Sequence, residues 1–263
     1  MSNWYLGKKS YRQAIQSWEQ TFNSLHDSQI KISEISSQIE YIFQNQHFKK
    51  YSNTFVEEII WIGSQARIFK DSLEIHKSVH TFLKEVNKIL CKQNEFEIHL
   101  NSIIGITIPK IKKYIPHSLP SISSCLTENE IKLIKEKLDS YVLESTLNEN
   151  AYDIDKSNQM QLINRYIGSP TLKEFSTKVE ILLDIATGNS ENADVAAASI
   201  NYLLDTNDVI NDNLGILGLV DDMYAINLGI QNTYPNNLFH RLVNKHNSEF
   251  PSFDLPVIDS GKP

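Results

Sequence analysis

Four aspartates fall within fifteen residues of one another, at Asp208, Asp212, Asp221 and Asp222. Carboxylate oxygens are hard ligands, and a set that converged in space would suit magnesium, calcium or manganese. Four such charges would also repel one another unless a counter-ion or hydrogen bonds held them. A second reading needs no metal. Asp208 and Asp212 flank a short connection, and aspartate accepts hydrogen bonds from free turn amides. Asp221 and Asp222 would open a helix, where the dipole favours negative charge. On this reading the segment is a self-capped helical corner, with Val209, Ile210, Leu214 and Leu217 directed inward. Catalysis would further require a base or nucleophile. His240, Arg241, Lys245 and His246 follow in the chain, but nothing in the sequence brings them to the carboxylates.

Other residues of chemical interest carry weaker patterns. His76 and His80 are four apart, so one helical turn puts both rings on one face as a candidate metal pair. They lie on an apolar seam with no HExxH motif, which favours packing. Asp153-Ile154-Asp155-Lys156-Ser157 has the alternating oxygen ligands that open a calcium loop. Asn158 stands where such a loop needs Gly, and Asn164 where it needs a bidentate Glu, so a capping turn is the better reading. Cys91 and Cys125, the two cysteines of the chain, have no zinc or redox spacing and read as reduced thiols.

The elements that must position these residues read as helices. Tyr11, Ile15, Trp18, Phe22, Leu25, Ile32, Ile35, Ile39 and Phe43 recur in alternating steps of four and three. After a polar stretch at Lys49–Asn53 the pattern resumes at Phe55, Ile59, Ile62, Ala66, Phe69, Leu73, His76, His80, Leu83 and Leu90. That repeat predicts coiled-coil-like packing of two long antiparallel helices, each of about 35 residues. Ile42, Ile60, Phe82, Val86 and Ile89 widen the stripe and call for further helices against it.

The β-branched run Ile103–Ile108 and the prolines 109, 116 and 120 predict a connector over 98–126. Thr127-x-x-Glu130 is a capping box, opening a helix with Ile131, Ile134, Leu138 and Tyr141 inward. Another helix follows Thr171, carrying Phe175, Val179, Leu182, Leu183 and Ile185. Ala193, Ala196, Ala197, Ile200, Leu203 and Leu204 then mark a helix of small residues fit for close packing. The expected fold is all-α. A helical hairpin at 1–97 and a connector at 98–126 precede a C-terminal helical domain at 127–248, and an extended tail occupies 249–263.

Residues 202–222 read YLLDTNDVINDNLGILGLVDD. This resembles the acidic hairpin of the YkvA-like family of unknown function, which has the form YLLxPxDLIPDxIPxLGxLDD. The match lies at Tyr202, Leu203, Leu204, Asp208, Ile210, Asp212, Leu217, Gly218, Leu219, Asp221 and Asp222. Thr206, Asn211 and Gly215 replace the family's three prolines. The resemblance covers residues 190–230 and implies a helix, an Asp-rich turn and a second helix. Association with a membrane surface is attributed to some family members, which makes peripheral binding through Leu214–Ile230 a third functional expectation.

Composition narrows the function classes. A net charge of −7 argues against a general nucleic-acid surface, although Lys110, Lys112 and Lys113 are clustered near His117. No run approaches the roughly 20 apolar residues of a membrane span, and the N-terminal residues do not read as a signal peptide. The sequence thus predicts a cytoplasmic helical protein acting through protein partners or self-association, without catalysis and without an obligatory cofactor. The alternative is a divalent-metal-dependent enzyme of the phosphoester-hydrolase type built on the four aspartates.

Overall fold

The computed structural model describes residues 32–90, 95–115, 119–147, 172–188, 191–205 and 207–233. Among them every regular element is a helix. The expected seam is present in α1 (32–44), where Ile35, Ile39 and Ile42 are completely buried. The portion of that pattern before residue 32 lies outside the described residues, as do the calcium-loop-like stretch at 153–164 and the tail after 233.

The long hairpin is divided differently from the expectation. Asn45 ends α1 and caps α2 (Gln46–Ile68), its side chain accepting from the His47 amide at 2.9 Å. Residues 49–53, expected as the break, run inside α2. They contain neither Gly nor Pro, so a polar stretch is free to continue a helix that has already been capped. The second expected helix is two helices. α2 stops at Phe69, the Ser72 amide donates to the Phe69 carbonyl, and α3 (Leu73–Leu90) follows. The turn preserves the phase of the apolar repeat, and periodicity alone therefore did not reveal it.

The connector is also largely helical. α4 (Phe96–Lys112) takes in the whole isoleucine run and Pro109. Proline costs an interior helix one hydrogen bond to the carbonyl four residues earlier. Here that residue is Gly105, exposed like Pro109, so solvent reaches this side of the helix. Leu100, Ile104, Thr107 and Ile111 face α2 and α3. A 3-10 turn at Ser123–Cys125 leads to α5 (Glu128–Leu147). The capping box closes as expected: the Thr127 amide donates to Glu130 Oε2 at 2.7 Å, and the Glu130 amide to Thr127 Oγ1 at 3.2 Å.

The C-terminal half comprises α6 (Lys173–Ala186), α7 (Ala193–Leu204), a 3-10 segment at Asp212–Leu217 and α8 (Val220–Thr233). α7 is central, packed by α5, α6 and α8. Its small residues let α8 approach closely: a Cβ added at Gly229 would lie 2.3 Å from Ser199 Oγ. The predicted halves do not keep separate cores. One apolar cluster runs without interruption from Ile35 through Trp61, Val86 and Ile134 to Leu217 and Ile230. Ile216, Leu217, Leu219, Val220, Ile226 and Ile230 are all buried in it, so the stretch expected to meet a membrane surface is occupied inside the protein. No described helix is long and apolar enough to cross a membrane.

Candidate metal centre at the acidic corner

α7 delivers Tyr202, completely buried, to one end of the bundle. After Leu204 the chain leaves the helix. The Asp205 side chain turns it by accepting the Asn207 amide at 2.9 Å. The next residues carry Asp208 and two backbone amides toward the start of α8. Asn211 then caps the 3-10 segment through the Asn213 amide at 2.8 Å. Within that segment Gly215 takes φ +57°, and a Cβ there would lie 1.9 Å from Glu40 Oε1. The same Glu40 oxygen accepts the Ile216 amide at 3.2 Å, so α1 braces the corner from outside.

Asp208, Asp221 and Asp222 come together. One carboxylate oxygen from each lies within 4.8 Å of the others, the spacing of a candidate cation site. Asp221 is 0% exposed and Asp222 2% exposed, while Asp208 is half-buried and gives the cluster its solvent side. Asp212 does not join this set of oxygens. It is exposed at the rim, close enough for its carboxylate to act on Asp208 by charge and hydrogen bonding.

The two oxygens of Asp221 have opposite environments. Oδ2 accepts three hydrogen bonds, from the Tyr202 hydroxyl at 2.9 Å, the Ile210 amide at 2.9 Å and the Val209 amide at 3.2 Å. That oxygen does what the self-capped reading expects. Oδ1 is buried and meets no donor in good hydrogen-bonding geometry, and the same holds for Oδ1 of Asp222. Leaving one such group without a partner costs about 1–3 kcal/mol, and more when it is charged. Capping accounts for one oxygen of the pair of aspartates. It leaves two buried oxygens unaccounted for, on successive residues at the start of α8.

The electrostatics follow from that geometry. Burial, followed by the charges of Asp221, Asp208 and Asp212, pushes the Asp222 carboxyl up to about 9, with Lys137 opposing. Burial and the charges of Asp221 and Asp212 push Asp208 up to about 7, again against Lys137. Burial also raises Asp221, opposed by the Ile210 amide, the Tyr202 hydroxyl and the amides of Asp221 and Asp222 at the start of α8. Without a counter-ion the cluster thus retains protons near neutrality, and a divalent cation could take their place.

Three residues complete the surroundings that sequence reasoning did not nominate. Lys137 on α5 pairs with Asp205 Oδ2 at 2.7 Å, donates to the Asn207 carbonyl, and stands 5.6 Å from the centre of the Tyr202 ring. Tyr141, one turn later on α5, donates to the same Asp205 oxygen. Hydrogen bonds from Lys137 and then Tyr141 hold the Asp205 carboxyl down at about 2. Lys137 and Tyr141 share a helix face at an i, i+4 spacing, a signal available in the sequence. Nothing in the sequence indicated that this face meets the acidic corner some seventy residues later.

The remaining candidates do not assemble. His76 is buried and His80 half-buried on α3, and among the described residues no third ligand joins them. His80 instead borders an open groove of about 510 Å³ with Gln38, Lys84, Asn87 and Lys88. Cys125 is a buried free thiol, pushed up to about 12 by burial. His240, Arg241, Lys245, His246 and Cys91 lie outside the described residues.

No protein-family model matches the chain, and neither does any curated protein or solved structure. The likeness of residues 190–230 to the YkvA-like hairpin therefore rests on the motif residues alone.

Proposed function

We propose that this protein is a divalent-cation-binding helical protein without catalytic activity of its own, in which Asp208, Asp221 and Asp222 hold the ion at the α7–α8 corner. The observation that carries this reading is the pair of buried, unpartnered Oδ1 atoms on Asp221 and Asp222 beside a third carboxylate. A hard cation such as magnesium, manganese or calcium satisfies both atoms and offsets the mutual repulsion of the three charges. The ion would join the end of α7 to the start of α8, which makes its role the locking of a corner. The motif shared with the YkvA-like hairpin supplies all three ligand positions, so the same use is proposed for that motif.

The accessory role rests on the outer surface. Ile98 and Ile106 are 69% and 55% exposed on α4, and such apolar residues on an outward helix face suit contact with a protein partner or a second copy. A reducing compartment such as the cytoplasm suits the free, buried Cys125.

Calorimetric titration of the full chain with magnesium, manganese and calcium tests the reading. Saturable binding of at least one ion is expected, and Asp222→Asn should abolish it. Heat that is absent in the wild type, or unchanged in the variant, overturns the proposal. Light scattering with and without the bound ion would show whether occupancy alters self-association.

A further inference from the structure

Among the described residues, Lys137 is the positive side chain whose charge acts on both Asp208 and Asp222, and it approaches from a different helix. Its ammonium is fixed by the Asp205 carboxylate and the Asn207 carbonyl, immediately before Asp208 in the chain. The same ammonium lies 5.6 Å from the centre of the Tyr202 ring, whose hydroxyl donates to Asp221. Only 23% of the Lys137 side chain and 27% of the Asp205 side chain remain exposed, so solvent screens this charge less than it would at an open surface. The corner therefore contains a cation that belongs to the chain itself.

We propose that Lys137 is a resident counter-ion that competes with the divalent cation for the Asp208–Asp221–Asp222 cluster, so that metal binding weakens the hold of α5 on the corner. This rests on the cation-binding reading above and adds a regulatory element to it. The physical basis is mutual. In the metal-free protein Lys137 offsets part of the carboxylate repulsion, and it repels an incoming ion of the same sign. An effect of the ion on Lys137 must be matched by an equal effect of Lys137 on the ion. α5 packs on both α7 and α8, so a change at Lys137 is passed to both helices of the corner.

The sign of the effect makes the proposal testable. Loss of a residue that merely organises the corner weakens metal binding, whereas loss of a competitor strengthens it. Lys137→Met keeps an unbranched side chain of similar length and removes the charge. Calorimetric titration of the full chain with manganese should give a dissociation constant at least about fivefold lower for Lys137→Met than for wild type. Lys137→Arg keeps the charge and should stay within about twofold of wild type. Raising the salt concentration should narrow the gap between wild type and Lys137→Met. In wild type, saturating manganese should speed amide hydrogen exchange in α5 around residues 137–141 while slowing it at the start of α8.

Binding by Lys137→Met that is equal to or weaker than wild type overturns the competition. A strengthening by Lys137→Arg as large as that by Lys137→Met overturns it as well, because charge would then be irrelevant. If neither wild type nor Lys137→Met binds any of the three ions, the cation-binding reading itself fails. Should Lys137→Met fold poorly, the exchange measurement on wild type decides: an α5 that manganese protects in step with α8 contradicts release.

Discussion

Two of the buried polar sites among the described residues are built on opposite principles. On α2, Arg67 pairs with Glu130 through both guanidinium nitrogens and also donates to the Cys125 carbonyl at 2.8 Å. Glu130 in turn accepts the Thr127 amide, and its carboxyl is held below the usual range by Arg67 and Thr127 despite burial. Charges there are opposite and paired, with Arg67 Nε the one buried guanidinium atom left without a partner, and they tie the N-terminal helices to α5. At the acidic corner three like charges are gathered, two of their oxygens have no partner, and Asp208 and Asp222 are raised far above the carboxylate range. A satisfied site is fully explained by the fold it stabilises. Two unpartnered oxygens within a convergence of three carboxylates instead leave room for a component that the chain itself does not supply.

The largest effect should come from breaking the satisfied site. Arg67→Ala leaves Glu130 in a mostly buried position without its partner, where the loss typically runs to about 3 kcal/mol. Denaturant unfolding should show that loss with or without divalent ions. At the acidic corner the sign reverses. In metal-free protein near neutral pH, Asp222→Asn removes a buried carboxyl that must take up a proton on folding, and it should raise stability by about 1 kcal/mol. Equal destabilisation by the two variants would erase the distinction between the sites.

Cation addition sharpens the contrast further. An ion present at one hundred times its dissociation constant stabilises the folded state by about 2.7 kcal/mol through mass action. Wild type and Arg67→Ala should both gain this increment in thermal unfolding, and Asp222→Asn should gain none.

The pH dependence should separate the sites as well. Asp208 and Asp222 titrate at about 7 and about 9 in the fold, against about 3.9 in an unfolded chain. A raised carboxyl contributes stability that is complete below the unfolded value and lost as pH rises through the folded value. Metal-free protein should therefore lose stability between about pH 4 and pH 9, by no more than about 1.4 kcal/mol per pH unit for each group. Glu130 behaves oppositely, because its lowered carboxyl contributes stability above the unfolded value that is lost on acidification. Asp208→Asn with Asp222→Asn should flatten the alkaline limb and leave the acid limb in place. Unfolding midpoints measured from about pH 2 to pH 10 without divalent ions check this.

How much of this was legible in the sequence differs between the two sites for a physical reason. The helical class, the Thr127–Glu130 box and most inward residues of the described helices follow from local periodicity and local capping and are present, whereas Leu73, expected on the seam, is 61% exposed. The tight turn at 69–72 left the apolar phase intact, and Pro109 sits where its lost hydrogen bond falls on a solvent-facing carbonyl. Both were therefore misread as continuity and break respectively. Asp208, Asp221 and Asp222 were legible as a candidate site because one short motif carries all three. Asp212 was grouped with them on spacing, but the 3-10 segment starts at that residue and leaves it at the rim. Arg67, Lys137 and Tyr141 act across 58 to 70 residues of chain, and no local pattern encodes such a pairing.

The smallest predicted effect tests whether the two oxygens of Asp221 have separate roles. Tyr202→Phe deletes one of three donors to Oδ2 and leaves the Val209 and Ile210 amides in place. The aromatic ring and its packing are retained, so the loss should be close to one hydrogen bond to a charged acceptor, about 1.5 kcal/mol. If Oδ2 serves the fold and Oδ1 serves the ion, this loss appears equally with and without the cation. The dissociation constant for manganese should then change by less than about threefold. A much larger change in affinity, with little change in metal-free stability, would mean that Tyr202 belongs to the ion-binding apparatus and that the division between the two oxygens does not hold.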